Sequence, residues 1–159
     1  MTTTLDRKVA LVTGGARGIG AGIALRLATD GADVAITYLR SADRAAAVVK
    51  EIEALGRRAL AVPADSADPD ALREAVDRTA AELGRLDILV NNAAVFPVGA
   101  LDEVDADERD RTIAVNVRGP YVAAQAAARH LGDGGRIISI GSNVGERAVF
   151  PGLALYAMS

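Results

Sequence analysis

Short aliphatic runs alternate with segments of helical periodicity along the whole 159-residue chain, and that alternation leaves few folds open. KVALVTGG (residues 8–15) is rich in β-branched residues and ends in glycine, which reads as a buried strand. Residues 18–29 follow as a helix, with Ile19, Ile23 and Leu27 at helical spacing and Asp30-Gly31 as the stop. DVAITYL (33–39) predicts a second strand, and residues 42–55 a helix whose apolar face is Ala45, Val48, Val49, Ile52 and Leu55, closed by Gly56. ALAVPAD (59–65) and LDILVNNAA (86–94) predict two further strands, separated by a helix over 69–83 with Leu72, Val76 and Leu83 inward. A long helix is expected over 106–131, then a fifth strand, GRIISIGS (135–142).

Strands separated by helices pair in parallel through right-handed crossovers, so the pattern predicts an α/β fold: a doubly wound parallel sheet covered on both faces. No linker, low-complexity tract or repeat divides the chain, and a single domain is expected over residues 1–159. Half the residues are hydrophobic but only 3% are aromatic, so Ala, Val, Leu and Ile must build the core. The 21 acidic and 18 basic residues are mixed, with no basic block to follow a phosphate backbone, which argues against a nucleic-acid partner. The absence of cysteine and the single histidine, His130, exclude thiolate sites and give no metal site. The first apolar run breaks at Gly14, unlike a signal peptide or a membrane span; the reading is a cytoplasmic protein with no membrane partner.

TGGARGIG (13–20) stands between the first strand and the first helix, where backbone N–H groups at a helix start attract a pyrophosphate and glycines allow its close approach. Its G-x-x-x-G-x-G spacing matches neither the G-x-G-x-x-G fingerprint nor the phosphate loop ending in Gly-Lys-Ser/Thr, and such a turn in isolation can be purely structural. Other signals lie in register with it: NNAA (91–94) at the end of the fourth strand, Asn116 in IAVNVRG, Ser142 in ISIGS and Tyr156 in LYAMS. In this order they resemble the short-chain dehydrogenases/reductases, among them the 3-oxoacyl-[acyl-carrier-protein] reductases, over residues 7–159.

The resemblance implies a Rossmann-type sheet of order 3-2-1-4-5 and a function in interconverting a carbonyl and an alcohol by hydride transfer. It places Gly14, Gly18 and Gly20 against the cofactor phosphates, Ile19 beside the nicotinamide, Asp65 and Ser66 at the adenine, and Asn92 and Ala93 along the cleft, with Asn91 bracing the sheet. Ala94 departs from the family's usual glycine. The second strand ends in TYLRSADR, with no carboxylate to repel a 2′-phosphate. Arg40 and Arg17 are placed to attract one, so NADP(H) is favoured over NAD(H), although both arginines also read as solvated surface residues.

Hydride transfer to a carbonyl needs a proton donor for the developing alkoxide. The resemblance gives that role to Tyr156, the substrate-oxygen hydrogen bond to Ser142 with Asn143 as competitor, and a relay water to Asn116. A free tyrosine has a pKa of roughly 10 and needs a nearby cation to act as a base near neutrality. In the family that cation is the lysine of Tyr-x-x-x-Lys, and this chain ends at Ser159, one position short of it. The chain is therefore expected to be the N-terminal portion of such an enzyme, truncated before the last helices and strands and homo-oligomeric at full length. The fifth strand would then be an unpaired apolar edge. The alternative is a catalytically inactive dinucleotide-binding module. A hydrolase is disfavoured, since ISIGSNVG lacks the G-x-S-x-G elbow.

Overall fold

The computed structural model describes residues 4–159, so the first three positions of the expected domain lie outside the described residues. Strands β1 (Val9–Val12), β2 (Asp33–Tyr38), β3 (Ala59–Pro63), β4 (Ile88–Asn91) and β5 (Arg136–Ser139) form one sheet of order β3-β2-β1-β4-β5. Every pairing is parallel, with Leu11 in register with Ala35 on one side and Leu89 on the other. The expected doubly wound α/β fold is present. Each strand stops earlier than its apolar run suggested, because Thr13, Leu39, Ala64 and Asn92 already belong to the loops at the C-terminal end of the sheet.

Side-chain alternation sorts the strands' residues between two layers. Ala10, Val12, Val34, Ile36, Ile88 and Val90 face helices α1 (Gly18–Thr29) and α2 (Ala42–Ala54). Val9, Leu11, Ala35 and Leu89 face α3 (Pro69–Leu83) and a helix over Gly119–Ala127. Leu11, Ile36 and Leu89 are fully buried, and each such side chain stabilises the fold by about 1.5–3 kcal/mol.

The helix boundaries have local causes. Asp68 caps α3 by accepting from the N–H groups of Asp70 and Ala71, Pro69 opens it, and Gly84 ends it in the left-handed region at φ 85°. In α1 the stripe at helical spacing that marks the helix is not the one that packs on the sheet. The buried column is Gly20, Ala24 and Ala28, while Ile19 is 69% exposed. Small residues let α1 lie close on the sheet, and the bulkier Ile23 and Leu27 flank the contact.

The long helix expected over 106–131 is interrupted. It runs as α4 (Ala106–Ile113), a π-helical turn (Ala114–Arg118) and α5 (Gly119–Ala127). Pro120 has no N–H to continue the α-helical ladder, which accounts for a break near this point. The helix also ends short of Leu131: Arg129 and His130 donate to carbonyls three residues back, tightening the last turn.

Two carboxylates clamp the opposite, N-terminal edge of the sheet. Asp87 accepts from the Val9 N–H, from Lys8 and from Arg85, and Asp33 accepts from the Arg58 backbone N–H and guanidinium. For both, burial raises the pKa, and the hydrogen bonds and positive charges outweigh it, leaving each below the ordinary carboxylate value. β5 is the outer strand on its side; Ile137 and Ile138 are each 45% exposed, as expected for an open apolar edge.

Candidate active site

Strand order reverses between β1 and β4, and the loops leaving these two strands diverge to open a crevice. The loop after β1 is made by glycines that no other residue could replace cheaply. Gly14 has φ +66°, and a Cβ there would lie 3.1 Å from the Cα of Ala93. A Cβ on Gly20 would lie 2.5 Å from Asn92 Nδ2 and 2.6 Å from the Gly14 carbonyl oxygen. Gly18, at φ +55°, faces open space, and α1 begins here with no side chain capping its first N–H groups. An uncapped helix start beside a bare glycine is a cradle for an anion.

The crevice is a cleft of about 580 Å³. Gly14, Arg17, Gly18, Ile19 and Gly20 line it from the first loop, Arg40 from the loop after β2, Asp65 and Ser66 from the loop after β3, and Asn92 and Ala93 from the loop after β4. Every residue that the sequence reading assigned to the cofactor thus meets in one cavity. No carboxylate follows β2 on this wall: Leu39, Arg40 and Ser41 stand there.

Two of these residues do more than line the wall. Asn92 Nδ2 donates to the Thr13 carbonyl at 2.8 Å and to the Gly14 carbonyl at 3.3 Å, so its amide holds the glycine loop. Asn91, expected to brace the sheet, reaches the Pro120 carbonyl and Ser139 Oγ only at 3.5 Å each. Asp65 accepts from the Ala67 N–H at 2.9 Å and from Arg111 at 3.2 Å. Burial raises its pKa, but the Ala67 and Arg111 hydrogen bonds and the charges of Arg111 and Arg40 together bring it below the usual carboxylate range.

Two of the three catalytic candidates, Asn116 and Tyr156, contact the Val95-Phe96 segment that leaves the cleft. Asn116, in the π-helical turn, donates from Nδ2 to the Val95 carbonyl at 3.0 Å and to Ser159 Oγ at 3.0 Å, and accepts the Val95 N–H at 2.9 Å. Tyr156 is half-buried in α6 (Ala154–Met158), its ring edge-on to Phe96 with centroids 4.5 Å apart. Ser142 is exposed after β5 and caps a 3₁₀ turn (Asn143–Gly145) by accepting the Val144 N–H at 3.2 Å. Asn116 and Tyr156 therefore converge on the Val95-Phe96 segment. Among the described residues no hydrogen bond joins Ser142 to either.

Two cleft residues escaped the sequence reading. Thr37, buried in β2, accepts the Gly14 N–H at 3.0 Å, and its only signal was a hydroxyl inside an otherwise apolar strand. Arg111 lines the cleft from α4, and nothing in DERDRTIAV distinguishes it from its charged neighbours.

A family model described as short chain dehydrogenase matches residues 8–159. The chain belongs to the short-chain dehydrogenase family. A versicolorin reductase of Emericella nidulans is 44% identical over 155 residues, covering 98% of this chain and 59% of its own length. An uncharacterized oxidoreductase of Methylorubrum extorquens is 45% identical over 153 residues, covering 96% and 61%. Among solved structures, a short chain dehydrogenase from Burkholderia cenocepacia in complex with NADP has a TM-score of 0.96 at 64% identity, covering 97% of this chain and 63% of that one. This short-chain dehydrogenase sequence thus spans about three fifths of the length of the curated relatives it matches. Among its described residues, no helix is long and apolar enough to cross a membrane.

Proposed function

We propose that this chain belongs to an NADP(H)-dependent oxidoreductase that interconverts a carbonyl and an alcohol, and that it supplies the dinucleotide cleft and the proton donor. One observation carries the reading: every residue expected to meet the cofactor lines the same cleft. The donor set suits the ligand. A capless helix start and Gly18 accommodate a pyrophosphate, Asp65 an amine donor, and Arg17 with Arg40 a 2′-phosphate. The NADP complex of the Burkholderia cenocepacia relative supports the choice of dinucleotide, as does the NADPH complex of a metagenomic blue fluorescent protein 55% identical to this chain.

The bound nicotinamide would supply or accept the hydride. The chain's own residues would move the proton and hold the substrate. Tyr156 would protonate the carbonyl oxygen during reduction, and Phe96 against its ring limits where the phenol can swing. Ser142 would hydrogen-bond the same oxygen. Asn116 is tied through both amide functions to Val95 and Ser159, so any relay water would be held by its remaining Oδ1 lone pair or by its backbone carbonyl, to which Pro120 can give no N–H. The small-residue run AAQAAARH (residues 123–130) would contribute to a homo-oligomer, in a cytoplasmic setting.

Titration with NADPH and NADH, followed by the fluorescence of the reduced nicotinamide, tests the first half of this reading. Saturable binding with NADPH favoured is expected; no binding of either would overturn it. For the second half, Tyr156→Phe should abolish carbonyl-dependent oxidation of NADPH by the whole enzyme while leaving NADPH affinity intact.

A further inference from the structure

We infer that Arg111 is a positioning residue of the dinucleotide cleft, fixing Asp65 at the adenine end from the same helical segment that carries Asn116. This rests on the dinucleotide reading above and deepens it. The two side chains come from positions far apart in sequence, and the planar guanidinium meets the carboxylate with both nitrogens, Nη1 to Oδ2 at 3.2 Å and Nη2 to Oδ1 at 3.4 Å. Both residues line the cleft. Asp65 Oδ1 also accepts the Ala67 N–H, so the carboxylate is held from two directions, and Oδ2 keeps a lone pair for a donor in the cleft.

The pair is one of three ties between that helix and that loop. Arg118 Nη2 donates to the Ala67 carbonyl at 2.8 Å. Gly119 lies so close to the loop that a Cβ on it would sit 2.6 Å from the Ser66 carbonyl oxygen. The loop holding Asp65 and Ser66 is thereby fastened around the π-helical turn, with Arg111 before it, Arg118 as its last residue and Gly119 after it. An exposed ion pair without such a setting contributes little to stability. Here its effect is on where one carboxylate oxygen points.

The inference separates from a general charge effect by comparing Arg111→Lys with Arg111→Met, and NADPH with its hypoxanthine analogue, which has a carbonyl in place of the exocyclic amine. Unmodified protein should bind NADPH more tightly than the analogue. Arg111→Met should weaken NADPH binding roughly threefold to tenfold, the scale of one well-oriented hydrogen bond, and reduce the preference for adenine. Arg111→Lys should lose the preference to a similar extent, because a point charge cannot reproduce the two-pronged hold. Thermal melting of each variant checks that the fold is retained. If both variants melt normally and keep the adenine preference of the unmodified protein, Arg111 does not position Asp65 and the inference fails. If lysine restores affinity and preference fully, only the charge matters and the inference also fails. Should the unmodified protein bind no NADPH at all, the dinucleotide reading is at fault instead.

Discussion

Thr13 and Asn92 hold each other from adjacent strand ends. The Asn92 amide donates to the Thr13 carbonyl at 2.8 Å, and Thr13 Oγ1 accepts the N–H groups of Asn92 and Ala93 at 3.0 and 3.1 Å. This reciprocal pair fixes the separation of the two loops that form the cleft's inner wall. Thr13→Val keeps the shape but strands two backbone donors, and a loss of about 2 kcal/mol is expected in denaturant unfolding, since an unsatisfied buried donor costs of that order. NADPH affinity should fall with it, whereas a surface Thr→Val such as Thr29→Val should leave affinity unchanged.

Gly18 and Gly20, two of the loop's four glycines, separate stability from binding. Gly20→Ala drives a methyl into Asn92 and the Gly14 carbonyl, and overpacking of this kind costs about 1–3 kcal/mol. Gly18→Ala meets no neighbour, so only its left-handed backbone is strained, by about 1 kcal/mol. The alanine methyl at 18 nonetheless stands on the cleft wall. A smaller drop in melting temperature than for Gly20→Ala, together with a marked loss of NADPH binding, is the expected pair of readings.

Arg40→Asp places a carboxylate after β2, where the chain has none, and reverses the charge facing a 2′-phosphate. The ratio of NADPH to NADH affinity should drop by roughly tenfold or more, the scale of replacing a charge-assisted hydrogen bond by a repulsion. Equal ratios before and after would remove Arg40 from the specificity argument.

Acid should unfold the protein through three carboxylates. Asp33, Asp65 and Asp87 have folded-state pKa values below the ordinary range, so the unfolded chain takes up protons first as pH falls. Their contribution is complete above the unfolded value of about 3.9 and is lost as pH drops from there through the folded values. Denaturant midpoints should be flat from neutral pH to about pH 5 and then decline. Asp87→Ala strands the buried Val9 N–H and unpairs the partly exposed Lys8 and Arg85, and should cost about 1–3 kcal/mol at neutral pH and flatten the acid limb.

The fold was legible where spacing alone decides structure. Alternation of apolar runs and helical repeats gave the parallel sheet, and α1 and α3 begin and end where their breakers stand. The glycine loop was legible because glycines before a helix have a direct physical use, whereas Ile19, Asp65, Ser66, Asn92 and Ala93 were legible only through the family resemblance. In α1 the spacing of Ile19, Ile23 and Leu27 marked the helix, but not its buried face, because close packing required the small Gly20, Ala24 and Ala28. Arg111 and Thr37 were invisible for a different reason: their partners, Asp65 and Gly14, are remote in sequence, and nothing local marks a side chain that acts across a gap. The π-helical turn had one faint signal, the Gly119-Pro120 pair, which a helical repeat of alanines and valines concealed.

That turn makes chain length, rather than chemistry, the strictest requirement in this part of the molecule. A π-helical turn holds one residue more than α-helical geometry would, and removing a residue rotates everything after it by about 100° relative to everything before. Between Ile113 and Gly119, a deletion would turn Ala123, Ala126 and Ala127 away from the sheet or Asn116 away from Val95, and no substitution elsewhere could restore both. Losing one residue from this segment is therefore expected to cost the fold more than exchanging most of its side chains.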